Sequence, residues 1–288
     1  MHQSSTTQDT TPAAEVGGET RRLTTGDGTN YVYSYSPAAN ASRPTFLLLH
    51  GYPSSRHGWR HQLSALAQLG YGVLAPDMLG MGDSDKPTGL EAYRSKRISG
   101  HLKELLEHES LRQVIGVGPA SSSTWTRSTA RPWLESFFHL LYHADAAQWG
   151  QNFAMVGAAR AWLHAGSIQP LPMWLTEEDK TLWLRLYSQP DAAESSLSYY
   201  RAVMRGIFEE DEAVLSDEDR KLKVPIVGIG GAKDQVSIPE DMTAVTKPYT
   251  TKGYTEHVLD AGHWVMLEQK EKVTSILAEF AASLTADH

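Results

Sequence analysis

The chain has 288 residues, of which 41% are hydrophobic and 21% are charged, so it is long enough to bury one large core. Its formal net charge of −8 argues against a surface that binds nucleic acid. It contains no cysteine, which excludes disulfides, thiolate nucleophiles and thiolate metal sites and is typical of an intracellular protein.

The first 20 residues are polar and are expected to form a disordered tail before a single domain over residues 21–288. The tail has neither the basic start nor the apolar stretch of a secretory signal. No later run is apolar for long enough to cross a bilayer, and the last three residues are not a peroxisomal signal. We therefore expect a cytoplasmic protein with no membrane span.

Turn residues and apolar runs alternate through the first 118 residues. Residues 22–37 contain a Gly- and Asp-rich turn at 26–30 between two strand-like pieces, which predicts an antiparallel hairpin. Three buried strands and two helices follow, in the order strand, helix, strand, helix, strand. Their predicted ranges are 45–49, 59–69, 71–76, 97–108 and 112–118. This order predicts an α/β fold with a mostly parallel sheet and right-handed crossovers.

The pattern becomes helical from about residue 133 to about residue 215. Residues 156–165 are rich in alanine, and Thr176 precedes three acidic residues, which is typical of a helix start. Apolar strands return at 224–229 and 256–259, and one helix is predicted over 265–284. The helical segment therefore lies between sheet strands, where it predicts a lid.

Loops that follow the predicted strands carry the polar residues, and ligands bind at that edge of a parallel sheet. The first loop reads HGYPSS (residues 50–55) and the second belongs to the run APDMLGMGDSDKP (residues 75–87). Asp234 follows a later strand, and AGHW (residues 261–264) follows the last one. In this order the four loops resemble the signature positions of the α/β-hydrolase superfamily. Residues 59–94 resemble its epoxide hydrolase branch.

The resemblance implies an α/β-hydrolase fold with a helical lid, no cofactor, no metal and a hydrophobic small-molecule substrate, which would fit a secondary-metabolite pathway. His263 matches the family's general base, and Asp234 matches the acid that orients it. Tyr200 matches one of two lid tyrosines that protonate the oxirane oxygen, and the other has no match here. Tyr52, in the loop with Gly51, matches the residue whose backbone N–H stabilises the oxyanion.

The nucleophile of the family has no counterpart in this sequence. Its elbow resembles Gly-x-Gly-His-Asp-Trp-Gly, in which Asp attacks the epoxide and forms an ester. Laid on residues 116–118, the pattern puts Pro119 at the His and Ala120 at the Asp. Ser121 is one place too late for a serine elbow, and no glycine follows it. Residues 119–132 fit neither a helical nor a strand period, so we expect the core to lack the elbow helix and the following strand.

Three interpretations follow from these residues. The chain is an epoxide hydrolase-like enzyme, a catalytically inactive descendant that binds a hydrophobic ligand, or a truncated or mis-spliced gene product. A haloalkane dehalogenase would use the same acid–base pair, but Tyr200 favours epoxides. The coding DNA across residues 118–135 tests the third interpretation. A sheet that lacks a strand exposes an apolar edge, so self-association is also expected.

Overall fold

The computed structural model describes residues 18–118, 134–142, 158–166 and 168–286. The described strands are β1 (Glu19–Thr24), β2 (Asn30–Ser36), β3 (Thr45–Leu48), β4 (Gly72–Pro76), β5 (Val114–Val117), β6 (Ile226–Gly231) and β7 (Tyr254–Leu259). The described α-helices are α1 (Arg60–Gln68), α2 (Ser95–His108), α3 (Leu134–Leu141), α4 (Ala158–Ala165), α5 (Glu177–Tyr187), α6 (Ala192–Ser196), α7 (Ser198–Met204), α8 (Glu209–Ala213), α9 (Pro239–Thr246), α10 (Val265–Glu268) and α11 (Lys270–Ala286). The elements follow the predicted α/β order.

The first five strands form one mixed sheet in the order β1-β2-β4-β3-β5. β1 and β2 form the predicted antiparallel hairpin, and β3 pairs in parallel with both β4 and β5. β1 begins at Glu19, at the end of the segment that composition assigns to the tail. Glu19 pairs with Tyr35 and Thr20 pairs with Ser34, so ladder hydrogen bonds order two polar residues that composition assigns to the tail.

The strands after the helical segment form a second sheet. β6 and β7 pair in parallel along their full lengths. Within the described residues no ladder joins β5 to β6, so the predicted parallel strands lie in two separate sheets. Both sheets contact one core, in which Phe46, Val73 and Ile115 are buried and Ile229 and Leu259 pack against them.

The predicted single helix over residues 265–284 is wrong, because α10 and α11 are separated at Gln269. This residue has φ −124° and ψ 46°, outside the helical region. Its side-chain amide donates a hydrogen bond to the Asp260 carbonyl oxygen at 2.8 Å, which ties the break to the end of β7. Apolar residues continue at helical spacing on both sides of the break, so the sequence period does not reveal it.

The helices α3 to α8 occupy the stretch of chain assigned to the lid. Thr176 begins α5 with a capping box, as its position before the acidic residues predicts. The Thr176 hydroxyl accepts a hydrogen bond from the Asp179 N–H at 3.2 Å, and the Asp179 carboxylate accepts one from the Thr176 N–H at 2.9 Å. Rings from this segment and from the core pack together. We call this group the aromatic cluster: Tyr52, Phe138, Tyr142, Trp183, Tyr187 and Trp264.

Open strand edges and exposed apolar side chains accompany the division into two sheets. Among the described strands, β5 and β6 are each paired along one edge. Val224, Val245 and Val258 are exposed by 57%, 59% and 48%. Such edges and side chains favour pairing with another chain. We therefore expect concentration-dependent self-association in analytical ultracentrifugation, whereas a monodisperse, cooperatively melting monomer would contradict this prediction.

Candidate active site

The loops after β6 and β7 bring Asp234 and His263 together. Asp234 Oδ2 lies 2.9 Å from His263 Nδ1. Asp234 Oδ1 accepts hydrogen bonds from the N–H groups of Val236 at 2.8 Å and Ser237 at 3.0 Å. The Asp234 side chain is 6% exposed and that of His263 is 23% exposed. The carboxylate is thus fixed from both sides, and it orients the imidazole.

The carboxylate keeps its charge in this setting. Burial raises the pKa of Asp234, but the hydrogen bond and charge of His263 and the two backbone N–H groups outweigh it, so the pKa is lowered from its usual value. An ionised Asp234 favours the imidazole tautomer with its proton on Nδ1. Nε2 is then the ring nitrogen that can take a proton from water.

Glu268 fixes the loop that carries His263, and it is not among the site residues predicted from the sequence. One carboxylate oxygen of Glu268 accepts the Gly262 N–H at 2.7 Å, and the other accepts the Trp264 N–H at 3.1 Å. An acid in the short helix directly after the AGHW motif was the available signal. Close packing also requires Gly231, since a β-carbon there would lie 2.1 Å from the Gly262 carbonyl oxygen.

A turn after β3 presents Tyr52. The Ser54 N–H donates to the Gly51 carbonyl oxygen at 3.0 Å and closes the turn. His50 Nε2 accepts the Met78 N–H at 2.9 Å, so its Nδ1 carries the proton and donates to the Gly51 carbonyl oxygen at 3.0 Å. Among the described residues, no acceptor is hydrogen-bonded to the Tyr52 N–H. This group can therefore serve a ligand oxygen.

Tyr200 of α7 faces this turn. Its ring centroid lies 5.9 Å from that of Tyr52, in an edge-on arrangement. Tyr187 of α5 contacts Tyr52 from another direction, at 6.2 Å between centroids. Burial raises the pKa of Tyr52 and of Tyr187, so both phenols stay protonated at neutral pH. The structure thus brings the predicted lid tyrosine next to the predicted oxyanion loop.

Tyr142 contacts both the loop that carries His263 and the turn that carries Tyr52. Its ring stacks on Trp264 at 4.5 Å between centroids, and Trp264 is the neighbour of His263. Its hydroxyl donates to the Pro53 carbonyl oxygen at 3.1 Å, directly after Tyr52. The acid–base pair and the Tyr52 turn therefore border the same aromatic cluster.

The predicted nucleophile position, Ala120, lies outside the described residues, as do Pro119, Ser121 and most of the predicted tail. In the part of the chain that the structure describes, no group of three or more His, Asp or Glu side chains could hold a metal ion. No described helix is both long and apolar enough to cross a membrane.

Several known proteins are similar to this chain in sequence or in structure. Residues 44–121 match a family described as alpha/beta hydrolase fold. Epoxide hydrolase A of Mycobacterium tuberculosis is 27% identical over 329 aligned residues, which cover 93% of this chain and 99% of the relative. This chain has the α/β-hydrolase fold and is similar in sequence to epoxide hydrolases.

Two further proteins that are similar to this chain are also named epoxide hydrolases. Epoxide hydrolase srdG of Neurospora crassa is 25% identical over 87% of this chain and 91% of its own length. The solved epoxide hydrolase from an endophytic Streptomyces superposes with a TM-score of 0.70, over 94% of this chain and 97% of that one. Its sequence is 22% identical, and the superposition supports the α/β-hydrolase fold.

Proposed function

We propose that this chain binds a hydrophobic epoxide between its core and its lid and hydrolyses it to a vicinal diol. The Asp234–His263 pair, at 2.9 Å, carries the proposal because it supplies a base with a fixed tautomer. The aromatic cluster around the Tyr52 turn suits an apolar ligand. The names of the Mycobacterium and Neurospora relatives support the substrate class.

The alanine at position 120 decides which nucleophile the proposed reaction can use. An alanine at the elbow offers no carboxylate, so an ester intermediate has no nucleophile to form it. The alignment of 329 residues with the Mycobacterium relative exceeds the 288 residues of this chain, so part of that relative has no counterpart here. This difference supports the loss of a segment. Water activated at His263 is then the remaining nucleophile.

In the proposed step, the water oxygen bonds to an epoxide carbon while His263 Nε2 takes a proton from it. The carbon–oxygen bond of the ring breaks, and the oxygen receives the proton of the Tyr200 hydroxyl. The Tyr52 N–H stabilises the developing negative charge on that oxygen. The imidazolium then returns its proton to the Tyr200 oxygen through water, which restores both side chains.

A single turnover of trans-stilbene oxide in H₂¹⁸O, with enzyme in excess, tests this route. Direct attack by water places one ¹⁸O in the first diol formed. An unlabelled first diol would mean that a protein carboxylate supplies the oxygen, and it would overturn the route. The absence of any diol would overturn the proposed activity.

The second candidate function is ligand binding without turnover, and the missing carboxylate at Ala120 favours it. This candidate predicts saturable binding of trans-stilbene oxide that survives His263→Ala, with no diol formed by either protein. Diol formation by the native chain would exclude it.

A further inference from the structure

One face of the lid helix α5 packs against the segment that carries the Tyr52 turn and hydrogen-bonds to it. Asp179, Trp183 and Tyr187 are four residues apart, so they lie in a row along the helix. Their relative exposures are 8%, 6% and 7%, so their polar atoms are largely shielded from water. Each of the three hydrogen-bonds to the segment that begins at Pro53 and ends at Arg60.

Two of these bonds reach carbonyl oxygens of the turn itself. Trp183 Nε1 donates to the Pro53 oxygen at 2.9 Å, and the Tyr187 hydroxyl donates to the Ser54 oxygen at 3.1 Å. Tyr142 also donates to the Pro53 oxygen, at 3.1 Å, so both lone pairs of that oxygen are used. Because peptide groups are planar, fixing two successive carbonyls fixes two successive peptide planes.

Asp179 holds the other end of the segment. Its carboxylate lies 2.6 Å from His57 Nε2 and 2.9 Å from an Arg60 guanidinium nitrogen. Burial raises the pKa of Asp179, but the hydrogen bond from His57 and the charge of Arg60 outweigh it, and the pKa is lowered. The ionised Asp179 carboxylate therefore binds the start of α5 to His57 and Arg60. The hydrogen bonds to the Pro53 and Ser54 carbonyl oxygens hold the rest of the helix against the turn.

We propose that Trp183 and Tyr187 are positioning residues, through which docking of α5 sets the geometry of the Tyr52 turn and the affinity of the cleft for its ligand. Both act through the backbone of the turn, and Tyr187 also supports the Tyr52 ring. The part that concerns the ligand rests on the proposed function. The part that concerns the turn stands on the hydrogen bonds alone.

Two variants and one matched control test the proposal in the full chain. Tyr187→Phe removes only a hydroxyl, and Trp183→Phe removes the indole N–H. Tyr71→Phe is the control, because the Tyr71 hydroxyl also donates to a backbone carbonyl, that of Ala278 at 3.2 Å, in another part of the core.

The first readout is hydrogen exchange of the Ser54 amide, whose bond to Gly51 closes the turn. Loss of one buried bond should speed this exchange by about 5- to 30-fold in Tyr187→Phe and Trp183→Phe, and leave it within about twofold in the control. The second readout is the Kd for trans-stilbene oxide, which should rise by a similar factor in both variants and not in Tyr71→Phe.

The outcomes separate this proposal from the proposed function. Unchanged exchange at Ser54 in both variants, or the same increase in Tyr71→Phe, would overturn the positioning role. Faster exchange with an unaltered Kd would overturn its link to the ligand. If the native chain does not bind trans-stilbene oxide, the proposed function and the link to the ligand both fail, and the exchange experiment still decides whether α5 positions the turn.

Discussion

Replacing His263 by glutamine is expected to lower kcat for trans-stilbene oxide by about 10²- to 10⁴-fold. The glutamine amide can keep a hydrogen bond to Asp234, but it has no basic nitrogen to accept a proton from water. Ligand affinity should change little, because the aromatic cluster remains in place. Steady-state kinetics and equilibrium titration on the same preparation measure the two effects separately.

His257→Gln is the matched control for this prediction. His257 lies on β7, six residues before His263, and is half-buried in the same small sheet. Its replacement should leave kcat unchanged. Turnover at the native rate in His263→Gln would contradict the assignment of the base, and an equal loss in both variants would point to damage to the sheet.

Replacing Arg56 by methionine is expected to lower the free energy of unfolding by about 3–5 kcal/mol, because it leaves a buried charge without its partner. The Arg56 guanidinium hydrogen-bonds to Asp77, whose side chain is 0% exposed, and the Arg56 side chain is 11% exposed. The Asp77 carboxylate would keep the N–H groups of Arg56 at 2.8 Å and Asp83 at 2.9 Å. Those two dipoles do not replace a cation. Urea unfolding followed by tryptophan fluorescence measures the loss.

Arg97→Met removes an ion pair that is exposed to solvent, and it serves as the control. Arg97 pairs with Asp27 at 2.6 Å, but the two side chains are 41% and 38% exposed. Water and salt screen such a pair, so its loss should cost less than about 1 kcal/mol. If Arg56→Met costs no more than this, the pair between Arg56 and Asp77 does not stabilise the folded chain as a buried ion pair would.

The sequence revealed those parts of the site that local patterns encode. Asp234 and His263 each follow an apolar run, and the carboxyl ends of neighbouring parallel strands meet at one sheet edge. Tyr52 was assigned through the resemblance of the HGYPSS loop to the α/β-hydrolase superfamily, and its turn lies shortly after β3. Thr176 was identified as a helix start because a capping box is a short-range signal.

Contacts between distant parts of the chain left no such signal. Tyr187 bonds to Ser54 across 133 residues, and neither residue's neighbours indicate the other. The break at Gln269 depends on its bond to the end of β7, while the apolar spacing continues through it. Such features arise when elements pack together, so the hydrophobic period of one segment cannot encode them.

The division into two sheets has a further consequence for the geometry of the site. Asp234 and His263 both follow strands of the small sheet, so the β6–β7 ladder and the loops after it set the distance between them. Tyr52 follows a strand of the large sheet. The two sheets could slide slightly past each other where Ile229 and Leu259 pack against the core. Such a movement would change the distance from His263 to a ligand bound at the Tyr52 turn. It would leave the tautomer of His263 unchanged.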